Sequence, residues 1–248
     1  MKANEVTLCG LAAVRARFKR DPSSIVRLFF DLPTSKKVGL MCRALAGGRK
    51  VYRCVGPAEL EKIADTVHHG GIVAVVEEPP PRSPTQANIA AWARDQENLV
   101  VLDRVGNAHN LGAIARTAAY LGVPRIVIGG DPASARPGAA AYRVAEGGLD
   151  ALEVFMVPEI APFLRALAAA GFDVVGAATR GGGPWNRAAG PWALVLGNEE
   201  HGLAPDVEAA CTRRVTIPGS GRVESLNVSA AAAILMRELG PGGGRRRP

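Results

Sequence analysis

Cysteine is scarce in this chain and unpaired by spacing. The four in 248 residues, Cys9, Cys42, Cys54 and Cys211, form no C-x-x-C and no Cys/His cluster of zinc type, so no metal site is expected. No run of eighteen apolar residues is free of charge, which argues against a membrane-spanning helix. The first ten residues, MKANEVTLCG, lack the apolar core of a secretory signal, so the thiols are expected to be reduced in a cytoplasmic protein. The glycine fingerprint G-x-G-x-x-G of dinucleotide-binding folds is missing too, which counts against a nucleotide-dependent enzyme of that type.

What is present is globular: 48% apolar and 21% charged residues, in a length that suits two modest domains. The clearest boundary is Pro79-Pro80-Pro81-Arg82-Ser83-Pro84, a stretch that sustains neither helix nor ladder and reads as a stiff connector. Before it, in residues 1–78, a helical face at Leu11, Val14 and Phe18 precedes strands at Ile25–Phe30 and Val51–Cys54. A helix over Glu59–Val67 and the apolar strand Ile72–Val76 complete a small α/β sandwich. His68 and His69 enter that strand and read as structural. Residues 79–97 form the linker and a leading helix.

Residues 98–240 alternate more strongly. Strands are expected at Leu99–Leu102, Arg125–Ile128, Glu153–Val157, Phe172–Ala177, Ala193–Leu196 and Arg214–Ile217. Helices fall between them, one from Asn110 to near Gly122 and a last one from about Ser225 to Leu239. The fold class is therefore α/β, with a largely parallel carboxy-terminal sheet covered on both faces. A flexible basic tail, 241–248, closes the sequence.

Charge is divided unevenly. Residues 1–78 hold 13 Lys and Arg against 8 Asp and Glu, a net of +5, whereas residues 98–240 are close to neutral at −1. A basic front half suggests that one part gathers a polyanion while the other does something else. Arg15, Arg17, Lys19 and Arg20 cluster at the first helix and are the candidate phosphate contacts. With only 5% aromatic residues, shape and backbone contacts are a better expectation than base stacking.

A parallel sheet places ligands at the carboxyl ends of its strands, so three strand-exit loops carry the chemistry. The first runs from Asp103 to Thr117, with Asn110 placed as a helix cap and Arg116 off the apolar face. The second, Leu196-Gly197-Asn198-Glu199 with Gly202-Leu203, follows a buried strand. Gly197 permits close backbone approach to a ligand, and Glu199 can pair with an arginine or bind a polar group. The third, Ile217-Pro218 through Ser225-Leu226-Asn227-Val228-Ser229, sets polar residues at the start of a very apolar helix, where each needs a partner.

These three segments, in this order, resemble the signature motifs of the SpoU family of RNA ribose 2′-O-methyltransferases, within the SPOUT superfamily. Cys9-Gly10-Leu11 through Phe18, and His68-His69-Gly70-Gly71-Ile72, resemble the small ribosomal-protein-like RNA-binding domain that many members carry. The resemblance implies a deep trefoil knot in the carboxy-terminal strands and final helix, which ordinary topology rules would exclude. It implies a homodimer, S-adenosyl-L-methionine as methyl donor, and a structured tRNA or rRNA as substrate. By the same resemblance Asn110, Arg116, Glu199, Ser225 and Asn227 match the catalytic positions. Leu196, Gly197, Ile217, Pro218 and Leu226, with Thr179, would hold the cofactor. Arg116 is either the proton acceptor or, because a guanidinium is a permanent cation, a phosphate clamp beside a proton relay through Ser225 or a phosphate oxygen. Where relatives carry a small turn, this chain has Glu146, which would repel RNA phosphate if it faced the site. The competing reading is a non-catalytic RNA-binding or ribosome-assembly factor that keeps the fold.

Overall fold

The computed structural model describes residues 5–184, 186 and 190–240, so the tail 241–248 lies outside the described residues. Two sheets organise the chain. The first contains β1 (Glu5–Cys9), β2 (Ile25–Phe30), β3 (Val51–Cys54) and β4 (Ile72–Glu77), in the order β1-β4-β2-β3. β4 is antiparallel to both β1 and β2, and β3 lies parallel to β2 at the edge. The unbroken apolar run of Ile72 to Val76 suits this central position, where both faces are covered.

Helices α1 (Leu11–Arg20), α2 (Leu32–Ser35), α3 (Gly39–Gly47) and α4 (Pro57–Ala64) connect these strands. Val14 of α1 and Met41 and Leu45 of α3 cover one face, and Leu60 and Ala64 of α4 cover the other against Phe29, Val73 and Val75. β1, α2 and α3 are additions to the elements expected from the sequence. α4 stops short of Val67 because Asp65 turns left-handed at φ 52° and caps it. His68 and His69 sit in the turn before β4, where His69 Nδ1 accepts from the Gly71 amide at 3.1 Å.

The second sheet is parallel throughout. Its strands are β5 (Leu99–Leu102), β6 (Arg125–Gly129), β7 (Glu153–Val157), β8 (Asp173–Ala177), β9 (Trp192–Leu196) and β10 (Arg213–Val215), in the order β10-β8-β9-β5-β6-β7. The accompanying helices are α5 (Gln86–Arg94), α6 (Ala108–Tyr120), α7 (Ala139–Ala145), α8 (Gly148–Ala151), α9 (Ile160–Ala169), α10 (Pro205–Ala209) and α11 (Val228–Leu239). Trp92, Leu164 and Val207 of α5, α9 and α10 bury one face; Ile114, Tyr142, Leu149 and Leu235 of α6, α7, α8 and α11 bury the other.

The chain thus steps outward from β5 to β7, then crosses to build β8, β9 and β10 on the far side. Such a reversal leaves a crevice at the strand ends. The proline connector lies along β7, where the Met156 amide donates to the Arg82 carbonyl at 3.0 Å. Thr85 and Asn88 then open α5 with a reciprocal capping box.

The two sheets share one apolar interior. It runs from Leu8 and Val14 through Tyr142 and Leu149 to Leu102 and Met236. α1 packs so closely on the turn between α7 and α8 that a Cβ on Gly147, at φ 93°, would lie 2.8 Å from that of Ala16. No helix among the described residues is long and apolar enough to cross a membrane.

Candidate functional site

Three expected boundaries shift, and each shift rearranges the site. α6 begins before Asn110: Asn107 is its cap, its side chain accepting from the His109 amide at 2.8 Å. Asn110 is therefore not a cap. Its side chain is released for other work and is buried. α11 begins at Val228 rather than Ser225, and Asn227 is the cap, accepting from the Ser229 amide at 2.9 Å and hydroxyl at 2.6 Å. β10 ends at Val215, which leaves Ile217-Pro218 in a loop; Pro218 has no N–H to extend the ladder.

Asn110 is the junction of all three segments. Its Nδ2 donates to Glu199 Oε1 at 2.7 Å, and its Oδ1 accepts from Asn227 Nδ2 at 3.1 Å. The Gly106 amide adds a donor to Glu199 Oε2 at 3.3 Å. Burial by itself pushes the Glu199 carboxyl up, but donation from Asn110, from its own amide and from those of Gly106 and Asn107 outweighs this and holds it below the ordinary range. Glu199 contributes stability above the unfolded carboxyl pKa of about 4.3, and that contribution disappears as pH falls through the lower folded value. A Glu199→Gln variant is expected to lose this acid-side dependence, read as urea midpoints across an acid pH series.

Asn198, which motif reading left without a role, shapes the loop that carries Glu199. Its Oδ1 accepts from the amides of Glu200 and His201, both at 3.0 Å, and its Nδ2 donates to the Arg104 carbonyl at 2.9 Å. Backbone bonds between Asn198 and Gly202 close the loop. Gly197 is required by space: a Cβ there would lie 2.3 Å from the Gly202 carbonyl carbon. The buried Asp103 was also passed over; its Oδ2 accepts from the Ala204 amide at 2.7 Å and pins the far end of the same loop. A buried Asp directly after an apolar strand was the signal available.

A cleft of about 890 Å³ opens above β8, β9 and β10. All six residues expected to hold a cofactor, Thr179, Leu196, Gly197, Ile217, Pro218 and Leu226, line it, and so do Glu199, Ser225 and Asn227. Leu226 exposes 47% of its surface and Val223 73%, an apolar rim of the kind a small-molecule site presents. Arg116 is not among the lining residues. Its Nη2 pairs with Glu146 Oε2 at 2.9 Å, and both side chains are more than half exposed. Glu146 therefore faces Arg116, held there by a left-handed backbone at φ 45°.

The candidate phosphate contacts divide. Arg15 and Lys19 are exposed on α1. Arg17 is a correction: it is 3% exposed, with its guanidinium on Asp150 at 2.6 Å, on Tyr142 at 2.9 Å and on Glu78. It falls on the same helical face as Val14, three residues earlier, and so points into the joint between the sheets. Arg20 is tied to that joint as well, donating to the Leu149 carbonyl at 3.2 Å. Burial pushes the Asp150 carboxyl up, and Arg17 and Arg20 only partly oppose this.

Comparison with known proteins places this geometry. Residues 97–237 match the SpoU rRNA Methylase family, more than half of the chain, and residues 7–82 match the family described as RNA 2′-O ribose methyltransferase substrate binding. A protein of Escherichia coli O157:H7 named uncharacterized tRNA/rRNA methyltransferase YfiF is 32% identical over 96% of this chain and 68% of its own length. The protein named 23S rRNA (guanosine-2′-O-)-methyltransferase RlmB of Nitrosomonas europaea is 32% identical over 92% of this chain and 88% of its own length. The solved structure of an AdoMet-bound rRNA methyltransferase from Sinorhizobium meliloti superposes with a TM-score of 0.77 at 25% identity, covering 96% of this chain and 87% of that one. With three distant segments joined at Asn110 beneath a cleft and this extent of similarity, the chain belongs to the SpoU rRNA methylase family.

Proposed function

We propose that this chain is an S-adenosylmethionine-dependent methyltransferase acting on a ribose 2′-hydroxyl of tRNA or rRNA. The observation that carries the proposal is the Asn110–Glu199–Asn227 hydrogen-bonded chain beside the cleft, which joins segments 89 and 117 residues apart. S-adenosylmethionine supplies a methyl group on a sulfonium, an electrophile that needs no further activation. The cleft suits it. Leu196, Ile217 and Leu226 would give it apolar contact, and the loops at Gly197 and Pro218 would hold it through their backbone. The protein's remaining work is alignment and a destination for the hydroxyl proton.

In this reading Asn110 holds Glu199 and Asn227 in register; as the ribose oxygen bonds to the methyl carbon and the carbon–sulfur bond breaks, Ser225 Oγ or a phosphate oxygen passes the hydroxyl proton to solvent. Arg116 clamps the neighbouring phosphate, which takes over the guanidinium from Glu146. An Arg116→Lys variant is expected to lose roughly tenfold or more in single-turnover rate, because an ammonium cannot reproduce a planar two-point contact. A near-full rate would discard the clamp.

Residues 1–78 are the RNA-substrate domain, 79–97 the linker and leading helix, 98–240 the catalytic domain and 241–248 a basic tail. The catalytic domain is threaded as a deep trefoil knot. Supporting this, the segment after β8 passes so close to β10 that a Cβ on Gly182 would lie 2.6 Å from the Val215 carbonyl carbon, and Gly183 exchanges backbone bonds with Arg214 and Thr216. Exposed Val223, Leu226 and Ile234 around the start and outer face of α11 support a homodimer through this domain. The enzyme works in the cytoplasm, where its four thiols stay reduced.

Transfer of tritium from methyl-labelled cofactor into tRNA or 23S rRNA, followed by ribose-methylation mapping, tests the reading. Cofactor binding with no transfer to either RNA would favour the non-catalytic assembly factor.

A further inference from the structure

We propose that the amino-terminal domain meets RNA not through its first helix but through the opposite edge of its sheet. The surface is built by α3, its flanking turns and β3. It fits the phosphate backbone of a folded RNA large enough to reach from that edge to the catalytic cleft. This rests on the methyltransferase reading above and specifies which substrate shape that reading requires.

From Leu32 through Ala58 the chain contains no Asp or Glu, yet it carries Lys36, Lys37, Arg43, Arg49, Lys50 and Arg53. All but Lys50 are exposed; Lys50 is half-buried and donates to the Ser23 carbonyl. The nearest counter-charge to Arg53 is Glu59, at 3.8 Å and itself exposed. More exposed positive charge lies here than on α1, where the joint between the sheets consumes Arg17 and ties down Arg20 and leaves Arg15 and Lys19 exposed.

Charged residues on an edge strand can serve only to block pairing with another chain. Here five of the six, Lys36, Lys37, Arg43, Arg49 and Lys50, lie off the strand, in α3 and the turns around it, so blocking does not account for them. The cations are spread over helix, turn and strand, which suits an extended polyanion better than an acidic peptide. Tyr52, 40% exposed within β3, adds one flat surface.

The sheet order gives the surface its meaning. β1 and α1 pack on α7 and α8, so the β1 edge faces the catalytic domain and β3 lies three strand positions away. At about 4.8 Å per strand, that is roughly 14 Å across the sheet alone. An RNA that covers both the cleft and this surface must therefore extend across the whole width of the first sheet.

The test uses the full chain and two variants, Lys36→Gln/Lys37→Gln/Arg43→Gln/Arg49→Gln and Arg15→Gln/Lys19→Gln. Each is titrated with a 23S rRNA transcript and with a short single-stranded oligonucleotide over a salt series. Cofactor affinity serves as the check that each variant is folded. The quadruple variant is expected to bind the transcript roughly tenfold or more weaker, with a salt slope shallower by about 2–4. Its affinities for the oligonucleotide and the cofactor should be unchanged, and the α1 variant should lose less. Wild-type affinity and slope in the quadruple variant would overturn the surface assignment while leaving the methyltransferase reading intact. An equal loss with the short oligonucleotide would overturn the claim of reach. A wild-type protein that neither binds nor methylates the transcript would remove the reading on which the surface depends, and the proposal with it.

Discussion

An Arg17→Ala variant is expected to unfold about 3–5 kcal/mol more easily than wild type, the cost of stranding a buried carboxylate. Asp150 has no exposed side-chain surface, and one of its carboxyl oxygens, Oδ2, already has no hydrogen-bond partner among the described residues. Removing Arg17 takes away its strongest partner and the guanidinium that Glu78 and the Tyr142 hydroxyl share. In a chain of this length that corresponds to a fall in Tm of roughly 6–20 °C. The double variant Arg17→Met/Asp150→Leu should recover most of the loss, since apolar groups of similar size often replace a buried ion pair without penalty. Chemical denaturation of the two variants and of each single change gives the coupling between the residues. If Arg17→Ala cost no more than an exposed ion pair, under about 1 kcal/mol, the network would not be what fastens α1 to α8.

A Gly197→Ala variant is expected to lose at least about a hundredfold in cofactor affinity with little change in the amino-terminal domain. The added methyl would collide with the Gly202 carbonyl carbon at 2.3 Å and the Leu203 amide nitrogen at 2.5 Å. Both are backbone atoms, and neither can swing aside as the tip of a flexible side chain can. The loop must open, which breaks the Asn198–Gly202 bonds and moves Glu199 off Asn110. A hundredfold corresponds to about 2.7 kcal/mol, within the range that overpacking a rigid site costs. Calorimetric titration with S-adenosylmethionine measures it directly, and wild-type affinity would show that the loop does not shape the cleft.

The parts of the molecule legible in the sequence are those set by local pattern. The strands of the parallel sheet announce themselves as short apolar runs such as Leu99–Leu102, and the three loops carry polar residues where an apolar context makes them conspicuous. Helix starts were harder. Asn107 and Asn110 are both good capping residues, and only the fold decides that Asn107 caps while Asn110 reaches Glu199. The same competition separates Ser225 from Asn227. Arg17 differs for another reason. It shares a helical face with Val14, but a buried guanidinium makes sense only once Glu78 and Asp150 are known to meet it, and they lie 61 and 133 residues away. Glu146 shows the same limit. Sequence could identify it as a departure but could not show that its carboxylate would rest on Arg116.

The apolar interior that runs unbroken beneath both sheets means the proline connector is a hinge in appearance only. Heating should melt the protein in a single cooperative transition, and a protease that nicks the chain near Pro81 should leave two fragments still clasped together. Either half expressed alone would present a wet, sticky scar where α1 met α8, so the front domain cannot be lifted onto another enzyme as a ready-made cassette without resurfacing that seam.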